Sequence, residues 1–166
     1  AASHVPVVNG LDDLLHPCQA LADLLTIEEQ LGSARGKQLV YVGDGNNVAH
    51  SLLLAGARAG LHVRVVSPSG YQPKADIVRQ AQGTGEETGA RLEVTQDHEA
   101  VAGADVVYTD VWASMGQEDE AAARRVAFQG YEVTATMMKR ARPDAIFLHC
   151  LPAHRGEEVS SAVIDG

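Results

Sequence analysis

Five short apolar runs alternate along this chain with longer stretches whose apolar positions recur at helical spacing: Leu39–Val42, His62–Val66, Arg91–Thr95, Asp105–Thr109 and Ala145–Leu148. Short runs rich in valine, isoleucine and leucine predict strands, and the four apolar residues of the last predict a strand buried on both faces. Between them the pattern predicts helices over Val48–Ala59, Lys74–Thr88, Glu118–Phe128 and Ala135–Ala141, with a short one over His98–Ala102. A further helix precedes the first strand, entered at His16-Pro17 and ended by Gly32. Proline is tolerated in a first turn, where its missing N–H is not needed, and glycine suits the residue after a last turn. Leu21, Leu24, Leu25 and Leu31 are expected to form that helix's apolar stripe. Gly83 and Gly85 weaken the helix around them by about 1 kcal/mol each and leave open whether it is split. Strand and helix in alternation predict an α/β fold: a Rossmann-like three-layer domain with a five-stranded, mostly parallel sheet flanked by helices.

Bulk properties narrow the partners. At 166 residues the chain suits one domain with a core of its own. A formal net charge of −9 argues against nucleic acid or an anionic membrane surface as the main partner. No apolar run approaches the roughly 20 residues of a membrane span, and Ala1-Ala2-Ser3-His4 lacks a signal peptide's basic and apolar regions. Cys18 and Cys150 lie far apart and outline no disulfide framework, so a reducing cytoplasm is the expected compartment.

The candidate chemistry sits where strands end. In an open parallel sheet, ligands bind beyond the carboxyl ends of the strands. His149 and Cys150 fall at such an end, and Pro152 forbids continuation of the ladder. Gly43-Asp44-Gly45-Asn46-Asn47 joins a strand to a helix: its glycines suit a tight turn and its asparagine amides suit a carboxylate or amine. Asp110 ends another strand, with Ser114 four residues on, an acid and a hydroxyl fit to hold an ammonium group. His16 and Gln19 lie three apart at a helix start, where free N–H groups favour an anion or a polarised carbonyl. Each feature also has a plain structural reading: a packed thiol, a capping histidine, a solvated loop acid. It is their recurrence at several strand ends that favours chemistry.

Taken in order, His16-Pro17-Cys18-Gln19, Gly43-Asp44-Gly45-Asn46-Asn47, Asp110-Val111-Trp112-Ala113-Ser114-Met115-Gly116-Gln117-Glu118 and His149-Cys150-Leu151-Pro152 closely resemble the ornithine carbamoyltransferase family. The likeness covers essentially the whole chain and matches that family's second half. It implies an interdomain segment and helix at 1–32 and an ornithine-binding domain at 33–166. It also implies L-ornithine and carbamoyl phosphate as substrates, a homotrimer, and neither cofactor nor metal. By motif, His16 and Gln19 would contact carbamoyl phosphate, His16 polarising its carbonyl, with backbone near Cys150 and Leu151 facing the carbamoyl group. Asn47 would hold the ornithine α-carboxylate with the backbone at Met115; Asp110 and Ser114 would hold the α-amino group. Cys150 would take a proton from the δ-amine. The family's phosphate loop and its arginines would lie upstream of Ala1, and its last arginine-bearing helix beyond Gly166. A domain-sized fragment without catalysis of its own is therefore expected. Elementary chemistry agrees with the residue types: an alkyl ammonium with a pKa near 10 must lose a proton before attack, and a thiol near 8.5 is a plausible acceptor.

Three other readings compete. A dinucleotide site would want a small residue where Val48 stands and an acid where Ser67 stands. A metal site from His149, Cys150 and His154 lacks an obvious fourth ligand. A sister transcarbamylase acting on putrescine or acetylated ornithine is disfavoured by Ser114-Met115-Gly116-Gln117-Glu118, which resembles the ornithine type.

Overall fold

The structure, a computed structural model, describes residues 4–113 and 118–166. Helix α1 (Pro17–Leu31) precedes β1 (Gln38–Val42), α2 (Asn47–Ala59), β2 (His62–Val66), α3 (Ala75–Thr88) and β3 (Leu92–Thr95). After a 3-10 turn at His98–Val101 come β4 (Val106–Thr109), a second such turn at Glu118–Glu120, α4 (Ala121–Ala127), α5 (Ala135–Met138), β5 (Ile146–His149) and α6 (Ser161–Ile164). All strand pairings are parallel, in the order β3-β2-β1-β4-β5. The α/β expectation holds, and the sheet is parallel throughout.

Both faces of the sheet are covered. Leu39 and Tyr41 of β1 pack with Leu53, Val63, Val65 and Tyr108 on the side of α1, α2 and α3, while Val40 and Val42 pack with Val107, Phe128, Val133 and Met137 on the other. This two-sided burial is why β1 and β4 read as unbroken apolar runs. The expectation of two-sided burial fails for β5, whose four residues are all half-buried because it is an edge strand with a neighbour on one side only.

Helix α1 is also turned from its expected face. Ala20, Asp23 and Ile27 are buried, whereas Leu21 and Leu25 are 63% and 59% exposed. Leu24 and Leu31 pack partly against the core. An acid in the buried stripe hides the true face from a reading of apolar spacing. Helix α3 runs unbroken through both glycines; a Cβ at Gly85 would come within 2.6 Å of the Ala90 carbonyl oxygen, so glycine is there for close approach to the following strand. Helix α5 is shorter than predicted, although Thr134 caps it as expected by accepting from Met137 N–H at 3.2 Å.

The topology locates the site. From β1 the chain steps outward to β2 and β3, then returns to place β4 and β5 on the opposite side. The reversal opens a crevice beyond the ends of β1 and β4, where ligands bind in folds of this kind. Register aligns Val42 with Thr109 and Thr109 with His149, so the residues after these strands leave the sheet at one level. The turn after β1 is braced from the side: Gly45 N–H donates to the Tyr71 carbonyl at 2.7 Å, and a Cβ on Gly45 would lie 2.1 Å from Pro73 N. Gly45→Ala is expected to cost about 1–3 kcal/mol of stability through backbone overpacking. Gly83→Ala, which meets nothing within 4 Å, is expected to gain up to about 1 kcal/mol of helix propensity. Chemical denaturation of the two variants checks both signs.

Candidate functional site

Three elements meet at the crevice through one carboxylate. Asn46 caps α2, its Oδ1 accepting from the N–H groups of Val48 and Ala49 at 3.0 and 3.2 Å. With the oxygen so committed, its NH2 group faces β4 and donates to Asp110 Oδ2 at 2.6 Å. Asp110, 5% exposed, accepts on Oδ1 from Val111 N–H at 2.8 Å and from the Cys150 thiol at 2.9 Å. Beneath this trio, Tyr41 donates to Asn46 Oδ1 at 3.4 Å and stacks on Tyr108 with ring centroids 5.8 Å apart.

The electrostatics follow from the packing. Burial pushes the Cys150 thiol well above its ordinary range, and the Asp110 carboxylate pushes it further. In the free protein Cys150 is therefore a protonated donor, which refines its expected role as an acceptor. Burial also raises the phenols of Tyr41 and Tyr108, with nearby acids adding to it. Asp44, the acid of the glycine turn, is 7% exposed and paired with Arg124 Nη1 at 2.7 Å. Burial raises its pKa against the opposing pull of that guanidinium. Arg124 also donates to the Trp112 carbonyl at 2.9 Å and to Glu120 at 3.1 Å, so its charge is spent inside the fold.

The other expected residues take distinct places. Asn47 opens α2 and donates through Nδ2 to the Asp12 carbonyl at 2.8 Å, away from the Asn46–Asp110 contact. His16 precedes α1; its N–H donates to Ser51 Oγ at 2.7 Å and its Nδ1 lies 3.0 Å from the Gly10 carbonyl oxygen. Gln19 donates through Nε2 to Asp23 at 2.9 Å. Leu151 is 62% exposed, with a φ of 60°. Ser114 and Met115 lie outside the described residues.

His149 is wholly engaged: its Nδ1 accepts from Leu151 N–H at 2.8 Å, and Nε2 pairs with the buried Glu158 at 3.2 Å. A metal held by His149, Cys150 and His154 would have to break one of these bonds, and His154 groups instead with Glu157 and Glu158. Several site residues escaped sequence reasoning. Asn46 was indistinguishable from Asn47 as an amide. Asp23 carried a signal, an acid on the buried face of an amphipathic helix. Glu158 carried none, since its partner lies nine residues back across an irregular loop. His50, 3% exposed, joins Leu14 to Lys74 through its two ring nitrogens and also went unmarked.

Comparison with known proteins bears on this arrangement. Residues 35–166 match the family model described as aspartate/ornithine carbamoyltransferase, Asp/Orn binding domain, and residues 1–29 match its carbamoyl-P binding domain. The ornithine carbamoyltransferase of Acidothermus cellulolyticus is 61% identical over 163 residues, 98% of this chain and 52% of that protein. The anabolic ornithine carbamoyltransferase of Pyrococcus furiosus is 54% identical over 162 residues, 97% of this chain and 51% of that one. The solved structure from Pyrococcus furiosus superposes with a TM-score of 0.94 at 54% identity, covering 98% of this chain and 52% of its own. That from Gloeobacter violaceus gives 0.90 at 44% identity, covering 98% and 54%. The chain spans about half the length of the curated relatives it matches.

The two thiols should differ in reactivity. Cys18 is exposed, whereas Cys150 donates to Asp110 from a half-buried position. A raised pKa leaves less thiolate at any given pH, so with an aromatic disulfide at neutral pH Cys150 is expected to react about tenfold or more slowly than Cys18. Asp110→Asn removes the charge that retains the proton and is expected to speed the slow phase. Equal rates for the two thiols in the folded chain would contradict this electrostatic reading.

Proposed function

This chain belongs to the aspartate/ornithine carbamoyltransferase family, and from that premise we propose that it is the amino-acid-binding half of an ornithine carbamoyltransferase. The reaction is transfer of the carbamoyl group from carbamoyl phosphate to the δ-amine of L-ornithine, giving L-citrulline and phosphate. Residues 33–166 form the ornithine-binding domain, and 1–32 carry the His-Pro-Cys-Gln contact to carbamoyl phosphate. The observation that carries this reading is the meeting of Asn46, Asp110 and Cys150 at the crevice between β1 and β4. Asp110 is an acceptor whose partners there are neutral, and Arg124 is consumed by Asp44 and Glu120. An ammonium group suits such a place better than the second carboxylate of an aspartate would.

Each residue has a definable part. Asp110, with Ser114, grips the ornithine α-amino group; Asn47 and the Met115 backbone take the α-carboxylate. The cationic substrate then lies beside Cys150, and its charge favours thiolate over thiol, lowering the raised pKa of the free state. Once its own proton has left to solvent, Cys150 can thus receive the proton that the δ-ammonium must lose. The neutral nitrogen attacks the carbamoyl carbon, the C–O bond to phosphate breaks, phosphate leaves with that electron pair, and the surplus proton of the attacking nitrogen passes to the departing phosphate. His16 polarises the carbonyl. With Nδ1 facing the Gly10 carbonyl, Nε2 is the ring nitrogen left to contact the substrate. Gln19 and the backbone of Cys150 and Leu151 face the carbamoyl group.

The net charge of −9 does not favour the phosphate dianion, and we assign its cradle to a partner half of the kind the longer relatives possess. A homotrimer of the joined halves, acting in the cytoplasm with both thiols reduced, completes the proposal. The chain alone is expected to form no citrulline; fused behind the amino-terminal half of the Acidothermus cellulolyticus relative, it is expected to do so. In that fusion Asp110→Asn is expected to lower kcat/KM for ornithine by about 10- to 100-fold, the loss of a charge-assisted contact. Citrulline from the isolated chain would refute the division of labour, and an Asp110→Asn fusion with unchanged kcat/KM would refute the assignment of the grip.

A further inference from the structure

Asp23 is a carboxylate where the helical pattern calls for an apolar residue. It lies on the buried face of α1 between Ala20 and Ile27 and is 5% exposed. Its Oδ1 accepts from Gln19 Nε2, one turn earlier, at 2.9 Å. Its other oxygen and the Tyr108 hydroxyl are both buried side by side; burial raises the carboxyl's pKa, and the contacts from Gln19 and the phenol draw it back down, toward the charged acceptor form. Burying an acid so sparsely paired costs stability that an apolar residue would not. What the acid supplies is direction. A carboxylate accepts and does not donate, so Gln19 must turn its NH2 group inward and its carbonyl oxygen outward. A glutamine free of this contact could present either end.

We propose that Asp23 is the positioning residue that sets the polarity of Gln19, so that this end of the site offers an acceptor and selects an N–H-bearing group, the NH2 of a carbamoyl phosphate over the methyl of an acetyl phosphate. The proposal rests on the carbamoyl phosphate contact assigned to Gln19 above and adds the residue that determines which atom makes it.

The fusion described above carries the kinetic test. Asp23→Asn, of equal shape but able to donate or accept, is expected to raise KM for carbamoyl phosphate about tenfold while KM for ornithine stays within about twofold. Gln19→Glu alone sets two carboxylates against each other. Adding Asp23→Asn gives the new glutamate an inward donor and again leaves an oxygen facing out, so the double variant is expected to recover about tenfold or more of the single variant's loss. Additive losses, or equal rises in both KM values, would overturn the proposal. Should the unsubstituted fusion form no citrulline, the reaction assignment itself fails, and Gln19 is then judged in the 166-residue chain by amide NMR. Slow solvent exchange of the Gln19 side-chain NH2, made fast by Asp23→Ala, supports the positioning. Exchange as fast as that of a solvent-exposed glutamine overturns it.

Discussion

One buried carboxylate holds the working end of this molecule together. Asp110 receives an amide from the turn after β1, a backbone N–H from its own loop and a thiol from beyond β5. The amide and the thiol come from segments that the order β1-β4-β5 sets on either side of Asp110, and β1 meets β4 only because the chain returns past β1. The carboxylate needs donors because it is buried, and the donors are fixed because it needs them. The resulting constellation is preorganised by the fold before any ligand arrives.

The fold was legible because a parallel sheet covered on both faces leaves an obvious trace: short apolar runs with helical spacing between them. The strand ends followed, and with them Asp110 and Cys150. What escaped shares a physical character. Asp23 and Glu158 are acids placed where burial, not spacing, gives them meaning, and burial is a property of the assembled layers. The choice between Asn46 and Asn47 turns on one residue of helix capping: whichever asparagine spends its oxygen on the first turn must send its NH2 outward from the helix end. The protonated state of Cys150 was equally hidden, since it depends on enclosure and on an acid forty residues away.

The error at α1 is instructive in the same sense. Its leucines suggested a face that the structure leaves partly in water, while the buried face includes Asp23. A polar residue within a packed stripe lowers the apparent amphipathicity of a helix where it carries a functional group. Local inconsistency of this kind is expected at sites that trade stability for geometry.

His50 brings a different property into view. Its Nδ1 faces the Leu14 carbonyl at 2.9 Å, and its Nε2 accepts from the Lys74 N–H at 3.0 Å, an arrangement open only to the uncharged ring. Burial lowers its pKa below the usual value of 6.5. As the medium acidifies through that value, the unfolded chain takes up a proton that the native one refuses, and the balance tips toward unfolding. Acid would thus weaken the seam between the leading segment and the entry to α3. His62 and His98, whose pKa values burial also lowers, add to the same acid sensitivity, so a set of enclosed imidazoles makes the fold prefer neutral over acidic media.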